Sequence, residues 1–249
     1  MNIRDIYDAV SRGELLLIDL SHSLSNGMPI YPGDPPFNHE YVRFGKSYGE
    51  ATLSRVCMGM HTGTHIDLPL HFQPGGASVD KFPLSRFIVY SVALDLSGKA
   101  PGEPIGRVDL EAFRDRIRGG LGILLYTGFS SKWGSEEFLY NWQYLSRDGA
   151  DYLVERGVSL VGTEALSVAG YSGKPDYPYP ARVSRDDVVY VHYKLLSSNV
   201  LIIEGLTNLD RVLNECLNSE ALLIAAPLNV IGSEAGQSRV FALCNPARR

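Results

Sequence analysis

Cysteine is scarce in this chain, and what there is lies far apart. Cys57, Cys216 and Cys244 are odd in number and form no Cys-x-x-Cys pair, which argues against a disulfide scaffold and fits a reducing, cytoplasmic setting. A strongly basic stretch is also missing. With 23 Lys and Arg against 28 Asp and Glu, the net charge of −5 leaves nothing to neutralise a run of phosphates, so nucleic acid is not expected as a partner. No apolar run approaches the ~20 residues that cross a bilayer: Ala221 to Pro227 is soon followed by Asn229 and Gly232. Leu15 to Ile18 is far too short for a signal-peptide core. A soluble chain without a membrane partner is expected. At this length it would bury roughly three quarters of its extended surface, so neither metal nor disulfide is needed merely for stability.

Short runs rich in Val, Ile, Leu and Tyr, bounded by Gly, Pro, Ser or Asp, predict buried strands over 15–19, 87–96, 122–126, 158–162, 187–193, 200–204 and 221–226. Helices are predicted where the period changes. Ile3, Ile6, Tyr7 and Val10 repeat at helical spacing before Gly13, and Leu110, Phe113 and Ile117 do so within 109–118. Residues 146–156, capped at Ser146 and closed by Gly157, and residues 207–216 complete the set. The interleaving predicts one mixed α/β domain over 1–249 with a β-rich core instead of a regular βαβ repeat. The longest irregular segment, 169–186, carries three tyrosines and three prolines and reads as a lid, a subunit contact or a surface excursion.

What the chain does have is a concentration of metal-binding chemistry. His61-Thr62-Gly63-Thr64-His65-Ile66-Asp67-Leu68-Pro69-Leu70-His71-Phe72 holds three of the six histidines and one carboxylate, all at odd-numbered positions. As a strand it presents those groups on one face and Ile66, Leu68, Leu70 and Phe72 on the other, which looks core-directed. A straight strand would set His61 and His65 about 13 Å apart, too far to share one ion with bonds near 2 Å, so a bend around Gly63 is expected and Pro69 should end the ladder. A helix would also pair His61 with His65, but Thr62 stands where a His-Glu-x-x-His protease needs its base.

A lone histidine is ordinarily a satisfied core or surface residue; three with an aspartate at this density point to a metal. His61, His65 and Asp67 leave a coordination position open, as catalytic sites do. His71 could be a fourth ligand, but an imidazole beside an activated water is also suited to carry protons, and that role is preferred. Further along, His192 ends Val188-Val189-Tyr190-Val191 and Glu204 ends Val200-Leu201-Ile202-Ile203; two adjacent strands would bring both to one sheet edge. The residues alone leave these two as candidates.

The twelve-residue segment resembles the His-x-Gly-Thr-His-x-Asp-x-Pro-x-His-Phe signature of the cyclase superfamily, which includes bacterial kynurenine formamidases and isatin hydrolases. Leu17-Ile18-Asp19-Leu20-Ser21-His22, Met28 to Pro35, Tyr126-Thr127-Gly128-Phe129, Gly157 to Thr163, His192-x-x-Leu195-Leu196 and Glu204-Gly205-Leu206 agree with that family in order. The resemblance implies a swivelling β/β/α fold, a homodimer or larger assembly in which N-terminal segments reach the partner's site, and one or two divalent ions, Zn or Mn. It implies His61, His65, Asp67, His192 and Glu204 as ligands and His71 as proton donor and acceptor. The activity it implies is hydrolysis of a small amide, either an aryl formamide such as N-formylkynurenine from tryptophan breakdown or a cyclic amide such as isatin. Tyr31 stands where the formamidases typically carry a substrate-stacking Trp, and Glu164 and Ala169 replace acids common after the Val-Gly strand. Phe37, Tyr126, Phe129 and Trp133 could line an aromatic pocket with Tyr31, which alone is assigned to substrate. Two other classes compete: an iron(II) oxygenase using His65, Asp67 and His192 as a facial triad, and a metal-binding protein without catalysis.

Overall fold

The computed structural model describes residues 2–247. In chain order it forms α1 (Ile3–Ser11), β1 (Leu16–Asp19), β2 (Asn38–Arg43), β3 (Leu53–Cys57), β4 (His65–Asp67), β5 (Ile88–Asp95), β6 (Pro104–Ile105), α2 (Arg107–Glu111), β7 (Gly122–Tyr126), β8 (Tyr144–Leu145) and α3 (Arg147–Glu155). There follow β9 (Leu160–Thr163), α4 (Arg185–Ser197), β10 (Leu201–Glu204), α5 (Leu209–Glu215), β11 (Glu220–Ile224), β12 (Ala235–Gln237) and β13 (Phe241–Cys244). Nine strands make one mixed sheet in the order β1-β13-β11-β5-β7-β9-β10-β4-β12. Its middle strands β5, β7, β9 and β10 run parallel, because each crossover between them carries a helix, and antiparallel strands flank them. A mixed α/β fold with a large sheet at its core is therefore present, as the interleaved pattern predicts.

The sheet has an apolar layer on each face. One packs Ile18, Ile66, Leu68, Leu201 and Ile203 with Leu209 and Val212 of α5; the other packs Ile123, Val161 and Ile202 against Leu153 of α3 and Val188, Val191 and Leu195 of α4. Alternation along β4 and β10 therefore fixes where the polar groups point. Ile66 and Ile203 enter the first layer, so His65, Asp67 and Glu204 are delivered to the α4 side.

The segment predicted as a strand over 187–193 is helix. Its Val-Val-Tyr-Val run has β propensity, but Ser184 and Asp187 form a reciprocal capping box. Val188, Val191, His192, Leu195 and Leu196 are the buried positions, a spacing of 3.6 and not of 2. His192 consequently lies on the inner face of a helix, and not at a strand end beside Glu204.

A second correction concerns cysteine. Cys216 and Cys244 form a disulfide, since the end of α5 and the end of β13 meet across Cys216–Pro246 bridging, a proximity their 28-residue separation does not announce. Cysteine usage therefore carries no argument for a reducing compartment. Cys57 is free and exposed. Among the described residues no helix is long and apolar enough to cross a membrane.

His22 is held between apolar rings, stacked on Trp133 at 3.7 Å and edge-on to Phe138, with Nε2 buried and unpartnered. Burial lowers its pKa to about 4. Because the folded value lies below the unfolded one, the unfolded chain takes up a proton first, so this contribution is complete above about pH 6.5 and is lost as pH falls towards 4. With partial exposure allowed for, it is worth about 2 kcal/mol. Denaturant titrations at pH 7.5 and 4.5 should show a smaller acid loss for His22→Phe than for wild type; an equal loss would assign the acid sensitivity elsewhere.

Candidate metal centre

The predicted bend exists. Gly63 adopts φ +65° between Thr62 and Thr64, a left-handed conformation that favours glycine, and a Cβ there would lie 2.5 Å from the Leu24 side chain. The turn brings His61 Nδ1 to 3.1 Å from His65 Nε2, in place of the strand separation. β4 then runs for three residues before Pro69 opens a single 3-10 turn, Pro69–His71, which lifts His71 back over His61 with the rings 4.1 Å apart. Antiparallel pairing of β10 with β4 sets Glu204 opposite His65 and Ile202 opposite Asp67. Two of the groups thus meet through sheet register alone.

The donor atoms face one another. His61 Nδ1 lies 3.0 Å and His65 Nε2 3.3 Å from Asp67 Oδ1; His65 Nε2 lies 3.4 Å from Glu204 Oε2, and His192 Nε2 3.5 Å from Glu204 Oε1. His61, Asp67 and His71 form one convergent set, and His65, Asp67 and Glu204 a second, so Asp67 is common to both. Both Asp67 oxygens are buried with no hydrogen bond of acceptable geometry. A carboxylate in that state costs several kcal/mol unless a cation faces it. Four imidazoles and two carboxylates with no thiolate form a mixed nitrogen and oxygen donor set, and they fit a divalent ion.

Neighbouring groups fix the imidazoles in the ligating tautomer. His65 Nδ1–H donates to the Gly63 carbonyl at 2.9 Å and His192 Nδ1–H to the Val188 carbonyl at 2.8 Å, which directs each Nε2 at the cluster, where a bound cation would take the place of its proton. Val168 N–H donates to Glu204 Oε1 at 2.7 Å and holds that carboxylate. Burial works against charge on His61 and His65, yet Asp67 with its acidic neighbours overrides it and carries them up to about 11 and about 9. The cluster's field seeks positive charge. His71 goes the other way: burial brings it down to about 4, so it is a neutral base at pH 7.

Beside the cluster opens a cavity of about 200 Å³, into which His61, His71, His192 and Glu204 project. Tyr31 lines it, packed against Trp142 and Tyr171, and burial raises its phenol to about 12. Phe37, Tyr126, Phe129 and Trp133 do not line it; Phe129 and Trp133 belong instead to an aromatic cluster around Phe138. Glu164 is a buried strut under the 127–130 turn, accepting from Thr127 N at 2.8 Å and Ser130 Oγ at 2.6 Å, and Ala169 offers its carbonyl to Trp142 Nε1. Sequence reasoning missed Glu234, which stands 3.6 Å from His61 Nε2, and Asp34, Ser167, Lys174 and Arg185 on the cavity wall. Asp34 was visible in the Pro-Gly-Asp run; the others lack any local signal.

The family described as "Putative cyclase" matches residues 18–169. The chain belongs to that family. Kynurenine formamidase of Bacillus cereus is 30% identical over 229 residues, covering 92% of this chain and 97% of the relative. Isatin hydrolase A from Ralstonia solanacearum superposes with a TM-score of 0.82 at 24% identity, over 98% of this chain and 97% of that one. A predicted metal-dependent hydrolase from Bacillus stearothermophilus superposes at 0.69 with 27% identity, over 92% and 98%. This cyclase-family chain shares the fold of both structures.

Gly205 ties the two halves of the site together. At φ +66° its missing Cβ would lie 2.8 Å from the Gly63 carbonyl oxygen, the acceptor that orients His65. Gly205→Ala should therefore tilt that carbonyl, destabilise the fold by about 1–3 kcal/mol and weaken divalent-ion binding roughly 10- to 100-fold. Zn²⁺ titration followed by calorimetry, with thermal melts, measures both; wild-type affinity in a folded variant would contradict the coupling.

Proposed function

We propose that this chain is a metal-dependent hydrolase of small non-peptide amides, its substrate an aryl formamide or a cyclic amide. The observation that carries the reading is the pair of convergent donor sets sharing the unpartnered Asp67 at the floor of a cavity. The relatives' activities support the carbon–nitrogen class. His61, Asp67 and their neighbours would hold one ion, and His65, Glu204 and His192 a second, with Asp67 between them; Zn or Mn suits the donors. When bound, such ions would supply Lewis acidity to the amide carbonyl and lower the pKa of an attacking water.

The chain's own groups do the rest. Tyr31, packed on Trp142 and Tyr171, presents an aromatic edge to hold the substrate above the cluster. His71, neutral at pH 7, takes the proton from water as its oxygen attacks the carbonyl carbon and returns it to the nitrogen as the C–N bond breaks. Since His71 also lies within reach of the His61 and Asp67 donors, metal content must be measured separately from turnover. The oxygenase alternative is less well supported, because a triad of His65, Asp67 and His192 leaves unused His61 and His71, which converge on Asp67.

Residues 1–249 are proposed to act as one unit and to assemble as a homodimer. The exposed β2–β3 hairpin, with Tyr41, Val42, Phe44, Leu53 and Val56 outward, supports an apolar contact there.

His65→Ala should lose metal and activity together. His71→Ala should retain most of its metal while kcat falls about 10²- to 10⁴-fold. Elemental analysis of each variant, with assays on N-formylkynurenine and isatin, distinguishes the roles. Loss of metal from His71→Ala would make it a ligand, and full activity in either variant would overturn the assignment.

A further inference from the structure

The cavity wall carries two cations that the hydrolytic reading does not use. Lys174 comes from the irregular segment 169–186, and its stem lies across Gly33, with Nζ 3.7 Å from where a Cβ would stand and 5.8 Å above the Tyr31 ring. Arg185, the first residue of α4, reaches over Phe72 with Cζ 5.8 Å from the ring, and Phe72 itself stacks on His192 at 4.4 Å. Neither Lys174 nor Arg185 has a carboxylate within 4 Å among the described residues, although most basic side chains here do, Arg147 with Asp187 and Lys194 with Asp151 among them. Arg185 is also placed where the helix dipole disfavours a cation, so helix stability does not account for it. The remaining acid on this wall is Asp34, whose carboxyl is pushed up by burial and which forms no ion pair with Lys174.

We infer that Lys174 and Arg185 are specificity-determining residues that receive a carboxylate of the substrate, selecting acidic amides over neutral ones. This rests on the amide-hydrolase reading. A planar guanidinium and an ammonium converging on one cavity match a carboxylate with charge-assisted hydrogen bonds, and the rings of Tyr31 and Phe72 beneath them flank an aryl group. With Asp67 and Glu204 neutralised by bound ions, the two free charges dominate the entrance. Segment 169–186 therefore supplies selectivity, and the cluster below it supplies chemistry.

The probes are N-formylkynurenine and its methyl ester, which differ in the carboxylate alone. Lys174→Met and Arg185→Met should each lower the acid-to-ester ratio of kcat/KM at least tenfold, through KM, and Lys174→Arg should keep most of it. An unchanged ratio overturns the inference and leaves Lys174 as a local counter-charge to Asp34. If wild type turns over neither probe but opens isatin, the formamide substrate alone is excluded; if it turns over none of the three, the hydrolase reading fails. Calorimetric binding of benzoate to the metal-loaded protein then decides: tenfold weaker binding in the Met variants supports the pair, and equal binding, as when the carboxylate ligates the ions directly, refutes it.

Discussion

Two carboxylates, Asp67 and Glu204, are buried side by side at the α4 face of the sheet, and much of the local structure exists to hold them there. Neither would survive in that place without compensating positive charge, because desolvating a carboxylate costs several kcal/mol and mutual repulsion adds to it. The fold brings three imidazole nitrogens against them and fixes two rings by hydrogen bonds to backbone carbonyls. The raised values of His61 and His65 express the same demand for a cation.

That demand explains otherwise unrelated features. The left-handed turn at Gly63 folds His61 onto His65, and the contact of Gly205 with the Gly63 carbonyl locks that turn to the end of β10. Pairing of β4 with β10 aligns Glu204 with His65, while Ile66 and Ile203 anchor the same strands in the opposite apolar layer. The site is assembled by sheet register, and the irregular segment beside it contributes Lys174 to the cavity wall.

Much of this was legible in the residues. The alternation of His65 and Asp67 with Ile66 and Leu68 was a period-2 signal, and the need for a bend followed from bond lengths, so Gly63 could be named. Ser146 and Gly157 marked the two ends of α3, although the Ser146 hydroxyl donates to the Ile105 carbonyl and the Asp148 carboxylate and makes no cap bond. His192 was placed on the wrong element because Val188 to Val191 favours a strand locally, whereas the Ser184–Asp187 box and packing against the sheet decide for helix. Glu234, Lys174 and the Cys216–Cys244 pairing were hidden because each depends on tertiary proximity between segments with no shared pattern. The ligand roles of His192 and Glu204 came from family resemblance; spacing alone had left both open.

The central proposal is that one carboxylate, Asp67, serves two cation positions. Metal stoichiometry of protein purified without chelator or nickel resin, by elemental analysis of wild type and Asp67→Asn, tests it most directly. Two divalent ions per chain are expected in wild type and loss of both in the variant; a wild-type chain with one ion or none, or a variant that retains the wild-type content, would contradict it.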